Sequence, residues 1–240
     1  HSFSTRRSSD LIDSSIHTPG SATEMLSIGG SAFDRARRSF FARVNYAYRS
    51  KYLFEANIRH DGDARYHADY RWGNFPSFSA AWRVTEESFM ENTKNWLDNL
   101  KLRLSYGSVG NNGGSDVGEY EYQSTYGSAR YPLGGKLMSG LASTSIANSL
   151  LSWETSKMTN VGIDLNALSN RLSFTADVFV KNTTGILFTP SIYLTAGDKS
   201  APRKNIAEVR TKGVELTLGW KDQINDFSYS VSGNFSYTPN

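Results

Sequence analysis

The stretch FSYSVSGNFSY, Phe227 to Tyr237, alternates without error. Phe227, Tyr229, Val231, Gly233, Phe235 and Tyr237 occupy one set of positions, and Ser228, Ser230, Ser232, Asn234 and Ser236 the other. Successive side chains of a strand point to opposite faces, so this segment predicts a strand with one apolar face and one wet face. The apolar face has to touch either a packed core or something outside the protein.

The same pattern recurs at about residues 39–48, 52–60, 76–85, 98–107, 153–166, 171–181 and 208–220, with 227–237 the eighth segment. Each is about ten residues, the length a tilted strand needs to cross hydrocarbon, whereas strands of soluble proteins average about five or six. Connections alternate between short ones such as RSK, ALSN and KDQIND and long ones, the longest running from Ser108 to Ser152. Tight turns at one end and long loops at the other are the asymmetry of an up-and-down barrel. Tyr46, Tyr48, Tyr52, Trp82, Trp220 and Tyr229 fall near the short-turn end, and Phe40, Tyr106, Trp153 and Tyr237 near the long-loop end. These are expected to form the two aromatic girdles that flank an apolar band.

Mean hydropathy is negative, and no apolar run approaches the about 18 residues of a spanning helix. Barrel strands look polar on average, so this does not exclude a membrane. With 26 basic and 23 acidic residues the chain has no excess of positive charge for nucleic acid, and it has no Cys for a disulfide framework or a thiolate metal site. An open sheet edge cannot face lipid, which makes the expected architecture all-β: an antiparallel up-and-down transmembrane β-barrel.

Longer strings are specific. RWGNFPSFSAAWRVTEESFM (Arg71 to Met90), WLDNLKLRLSYGSVGNN (Trp96 to Asn112), LSWETSKMTNVGIDL (Leu151 to Leu165) and NIAEVRTKGVELTL (Asn205 to Leu218) resemble the C-terminal barrel region of the SusC/RagA family of TonB-dependent outer-membrane transporters. ARVNYAYRSKYLFEANIRHDGDARY (Ala42 to Tyr66) resembles the hairpin and loop before them, and Thr211 departs from the Asn usual before Lys-Gly. The resemblance implies that residues 39–240 are about eight strands of a larger barrel of about 22, and that residues 1–38 are an extracellular loop segment. It further implies an outer membrane of a Gram-negative bacterium, uptake of oligosaccharides or peptides, a SusD-like surface lipoprotein partner, and a TonB complex acting through an N-terminal plug region. Two alternatives stay open on the residues alone: a complete small barrel acting as adhesin or anchor, and a soluble lectin-like β-sandwich whose apolar faces meet each other.

Candidate site residues fall into two groups. Arg43, Glu55, Asn57, Arg59, Lys101, Arg103, Asp164, Asp177 and Glu215 lie on the polar faces and are expected to line the lumen or face a plug. Tyr66, Tyr70, Trp72, Tyr120, Tyr122, Tyr126 and Tyr131 are expected in extracellular loops, where flat amphipathic rings suit a ligand or a protein partner. HDGDARYHAD (His60 to Asp69) lacks the spacing of a calcium loop and reads as a polar loop, with no metal and no cofactor expected. YGSVGNNGGSDVG (Tyr106 to Gly118) has no Lys-Ser/Thr after it and reads as a glycine-rich loop rather than a phosphate cradle. No nucleophile stands beside an ordering base in any known motif, so no enzyme is expected.

Overall fold

The computed structural model describes residues 34–113, 117–191, 193 and 201–239. Eight strands form one antiparallel sheet: β1 (Arg37–Tyr48), β2 (Tyr52–Asp63), β3 (Trp72–Arg83), β4 (Leu97–Asn111), β7 (Glu154–Ala167), β8 (Leu172–Phe188), β9 (Lys204–Ile224) and β10 (Phe227–Tyr237). They lie side by side in chain order, and β5 (Tyr126–Leu133) with β6 (Lys136–Ser143) forms a separate hairpin. β1 and β10 are the two edges and do not pair with each other. The sheet is therefore an open wall, and the alternative of a closed eight-stranded barrel does not describe it.

Register carries the alternation across strands. One row, Tyr46, Phe54, Ala80, Leu104, Val161, Val178, Val214 and Tyr237, crosses all eight strands on one face. Phe54, Phe78, Leu104, Val161, Val178, Leu218 and Val231 on that face are each more than half exposed. Among the described residues no second layer covers them, which a β-sandwich would require. The buried apolar cluster is instead small and lies among the loops, comprising Tyr66, Val117 and Leu151 with Trp153 and Leu187 packed against it.

Short turns are built from backbone that only a few residues adopt readily. Arg49 and Ser50 have φ of 50° and 54°, and Asn225 has φ of 54°, the left-handed values that let a tight turn match the twist of its strands. Between β3 and β4 the chain makes two 3₁₀ turns, Val84–Glu86 and Ser88–Thr93. Glu87 sits between them and accepts hydrogen bonds from the Tyr52 hydroxyl (2.8 Å), Lys51 Nζ (3.0 Å) and Trp82 Nε1 (3.1 Å). One carboxylate thereby anchors two girdle aromatics by their polar ends. The Tyr52 hydrogen bond first, then those of Lys51 and Trp82, hold the Glu87 carboxyl below its ordinary range.

Several boundaries differ from the sequence reading. β2, β4, β8 and β9 run on to Asp63, Asn111, Phe188 and from Lys204 to Ile224, so KDQIND is mostly strand and the turn is Asn225 and Asp226. Beyond the central apolar rows the alternation that marks a strand fades while backbone pairing continues. β3 stops at Arg83 because Val84 and Thr85 turn inward and are buried, Thr85 Oγ1 accepting the Leu100 N–H at 3.4 Å. Of the loop segment expected over residues 1–38, residues 1–33 lie outside the described residues, while Arg37 and Arg38 already belong to β1, whose pairing with β2 extends to Asp63.

In lipid, Val161→Arg should lower unfolding stability by about 2–4 kcal/mol, while Ser79→Arg on the opposite face should change it little. Denaturant unfolding in vesicles reads this, and equal effects on the two faces would refute the face assignment. Because Glu87's folded-state pKa is depressed, its stabilisation is present above the usual carboxylate range and is lost as pH falls through the lowered value. The gap in thermal midpoint between parent and Glu87→Gln should accordingly shrink below about pH 4, and a gap independent of pH would count against the clamp.

Candidate functional site

The polar face of the sheet opposes the apolar one at every register position. Lys101 pairs across to Asp164, Arg103 lies opposite Gly162, and Gly162 lies opposite Asp177, which in turn faces Glu215. Arg103 grips Asp164 with two bonds, Nε to Oδ2 and Nη2 to Oδ1, both 2.9 Å, and Nη2 also reaches Asp177 Oδ2 at 3.0 Å. Lys101 Nζ is 2.9 Å from Asp164 Oδ2. To reach Asp177, Arg103 must pass over β7, and it does so where β7 has no side chain. A Cβ on Gly162 would stand 2.7 Å from Arg103 Nη2. These partly exposed pairs form a network rather than isolated bridges, which gives them fixed geometry in a wet setting.

Nearer the loop end the second polar group forms a chain along β1 and β2. Arg43 Nε donates to Asn57 Oδ1 at 2.6 Å, Asn57 Nδ2 donates to Glu55 Oε1 at 2.7 Å, and Arg59 Nε donates to Asp61 at 2.6 Å. All nine residues expected on the lumen side share this face, but they fall into two clusters. Glu215 is beside Asp177 by register, which places two carboxylates side by side.

Above the strands lies a knot that sequence reading missed. Asp63 and Arg65 are both fully buried. Arg65 Nη2 donates to Asp63 Oδ2 (3.1 Å) and to the Asn112 carbonyl (3.0 Å), and Nη1 donates to the Val117 carbonyl (3.1 Å). Arg37 Nε (3.0 Å) and Asn112 Nδ2 (2.8 Å) complete the donors to Asp63 Oδ2. A buried pair is tolerated only when its remaining donors and acceptors find partners, and here they do so on the backbone of another loop. The one signal was an Arg two residues after an Asp at the end of a strand, in HDGDAR.

The aromatics expected in the loops separate. Tyr66 is 0% exposed and packs on Trp153 with ring centroids 5.6 Å apart, so it is core of the loop rather than a ring offered to a ligand. Burial pushes its phenol above the ordinary range. Trp72 is not in a loop: it belongs to β3 and stacks on His60 at 4.5 Å on the apolar face, beside Phe40. Trp153, expected in the girdle, turns inward, donates Nε1 to the Arg71 carbonyl at 2.9 Å and packs edge-on to Phe75. Tyr70 and Tyr120 are exposed, and Tyr122 packs edge-on to His67. Tyr126 and Tyr131 sit on β5, on opposite faces of a hairpin whose turn is Gly134-Gly135, both with positive φ. That Gly pair is the signal that marks the hairpin.

HDGDARYHAD is divided by strand geometry: His60 faces outward on Trp72, Asp61 binds Arg59, Asp63 enters the knot, and His67 Nδ1 lies 3.3 Å from Asp69. No three His, Asp or Glu side chains converge as metal ligands among the described residues. Half of the glycine-rich stretch is strand. Gly110 on β4 leaves room for the Phe75 ring, and Gly113 takes a φ of 72°.

An open wall with an uncovered apolar face, a charged opposite face and long loops at one end has known counterparts. The family described as TonB dependent receptor-like, beta-barrel, matches residues 4–240. The chain belongs to this family, on its SusC/RagA branch. It is 35% identical over 213 residues to the TonB-dependent receptor P39 of Formosa agariphila, covering 88% of this chain and 20% of that one. It is 31% identical over 207 residues to the TonB-dependent receptor SusC of Bacteroides thetaiotaomicron, covering 84% of this chain and 20% of SusC. The chain therefore spans about a fifth of the length of these curated relatives. Among solved structures, the RagAB peptide importer in its closed-closed state superposes with a TM-score of 0.75 at 27% identity, over 90% of this chain and 24% of that one. The siderophore receptor PirA from Pseudomonas aeruginosa shares the fold alone, with a TM-score of 0.52 at 14% identity over 84% of this chain and 34% of its own. The family is one of receptors and transporters rather than enzymes.

Arg65→Met in the full-length protein leaves Asp63 buried with fewer partners and should cost the loop region about 3–5 kcal/mol. Limited proteolysis should then cut near residues 64–71 or 112–125 while the strands resist. An unchanged cleavage pattern would argue against the knot as the loops' anchor.

Proposed function

We propose that this chain is a section of barrel wall in an outer-membrane importer of oligosaccharides or peptides. The observation that carries the proposal is the uncovered apolar face, whose outward residues have no protein layer against them among the described residues. In water such a face would aggregate, and in hydrocarbon it is matched. Membership in the TonB-dependent receptor family supports the location and the energised transport. The likeness to SusC and to the RagAB peptide importer supports a substrate too large for passive pores and a SusD-like lipoprotein at the loop end.

In this reading the Lys101, Arg103, Asp164, Asp177 and Glu215 cluster lines the lumen and gives a plug region a surface to rest on. Solvated ion pairs suit that task because they are specific in geometry yet weak enough to part. Tyr70, Tyr120, Tyr122, Tyr126 and Tyr131 provide ring surface at the loop end for ligand or lipoprotein. The test is deletion of the gene for the full-length protein, followed by growth on oligosaccharides or peptides as sole carbon source. Growth on at least one class should be lost, and should also be lost when TonB is removed. Undiminished growth and uptake in both strains, on every substrate tried, would refute import.

A further inference from the structure

We infer that the loop end of the polar face holds a binding site for the carboxylates of acidic peptides. The inference rests on the importer reading and adds a ligand class to it. A hollow of about 920 Å³ opens on this face, lined by Arg37, Arg43 and Arg59, each with a carboxylate near its Nε: Asp63 at 3.0 Å, Glu55 at 3.9 Å and Asp61 at 2.6 Å.

All three arginines are held in the same way. Arg37 donates through Nε to Asp63, Arg43 through Nε to Asn57, and Arg59 through Nε to Asp61. Among the described residues their terminal nitrogens make no hydrogen bond and no ion pair at hydrogen-bonding distance. A guanidinium fixed at Nε retains its two Nη groups as a planar fork, and that fork matches the two oxygens of a carboxylate. Within this wall the side chains of Arg43 and Arg59 are 63% and 59% exposed, so no residue of the wall itself covers the forks. Anchoring at Nε also removes much of the entropy that a free arginine loses on binding.

Apolar groups stand where a wet wall does not call for them. Phe41 lies opposite Arg59 on the polar face and is 82% exposed, and Val109, also in the hollow, is 67% exposed. A ligand bearing both carboxylates and apolar side chains satisfies both sets of groups at once. An acidic peptide has that composition. An acidic oligosaccharide would match the forks, but it has no aliphatic side chain to set against Val109. The hollow also borders Asn112 and Trp153 at the loop end, where a ligand arriving from outside meets the wall before it meets anything deeper.

The test uses the full-length transporter in detergent and two probes, a short peptide alternating Glu and Val and its counterpart with Gln for Glu. The parent protein should bind the Glu peptide more tightly. Arg43→Gln combined with Arg59→Gln should erase that preference, at about tenfold per guanidinium–carboxylate pair, while affinity for the Gln peptide stays put. Both positions are largely exposed within the wall, and a difference in gel migration between unheated and heated samples checks that the barrel is folded. Equal binding of the two peptides by the parent overturns the anionic class and leaves import standing. Loss of binding to an oligogalacturonate in the double variant, with neither peptide bound by the parent, also overturns the peptide assignment. Peptide binding unchanged and ion conductance raised in the double variant would assign the arginines to the plug and overturn the site. The importer reading fails separately, through the growth experiment, whatever the peptides do.

Discussion

Backbone pairing along eight consecutive antiparallel strands is the constraint on which everything else rests. A chain in hydrocarbon must satisfy each N–H and C=O within the protein, and a sheet does so only through its neighbours. Once the ladder is set, the period of two places every second side chain in lipid and every other one in the lumen, with no freedom to exchange them. The exposed Phe54, Leu104 and Val231 on one face, and the Arg103 network on the other, are two results of one register. A slip of one residue would carry Asp164 and Asp177 into lipid and the valines into water.

The same geometry explains how charge is handled. On the polar face the cations are partly exposed and each has partner carboxylates, so a network can span β4, β7 and β8 at modest cost. In the loop knot both side chains are fully buried, and Asp63 with Arg65 is tolerated only because backbone carbonyls and Asn112 complete the pair. At the short-turn end Glu87 does something different again, joining a lysine to the polar tips of Tyr52 and Trp82. Three carboxylate settings along one wall thus differ in hydration, and each has the partners its hydration demands.

Much of the wall was legible in the residues because alternation is a local signal that needs no knowledge of neighbours. The strand 227–237 and the sharing of one face by Arg43, Glu55, Arg103 and Asp177 were read from it directly. What was not legible depended on contacts far apart in the chain. Nothing near Tyr66 says that Trp153 will lie against it, and nothing near Arg65 says that the carbonyls of Asn112 and Val117 will receive it. Trp72 was misplaced for a subtler reason: strands continue beyond the apolar band, where sequence contrast has ended and backbone pairing has not. The β5–β6 hairpin carried its mark in Gly134-Gly135, but a single turn signal inside a long polar loop is easily discounted.

The knot also sets an order of events. Arg65 and Asp63 are two residues apart, whereas the partners Asn112 and Val117 are 47 and 52 residues from Arg65. Closing the short loop costs little chain entropy and closing the long ones costs more, so the ion pair can form while the hairpin is still alone. Its opposite charges then travel as a neutral unit before β4 arrives to supply the remaining partners. The knot can be completed only once β2, β3 and β4 have come together, so its formation reports that these strands have found their register.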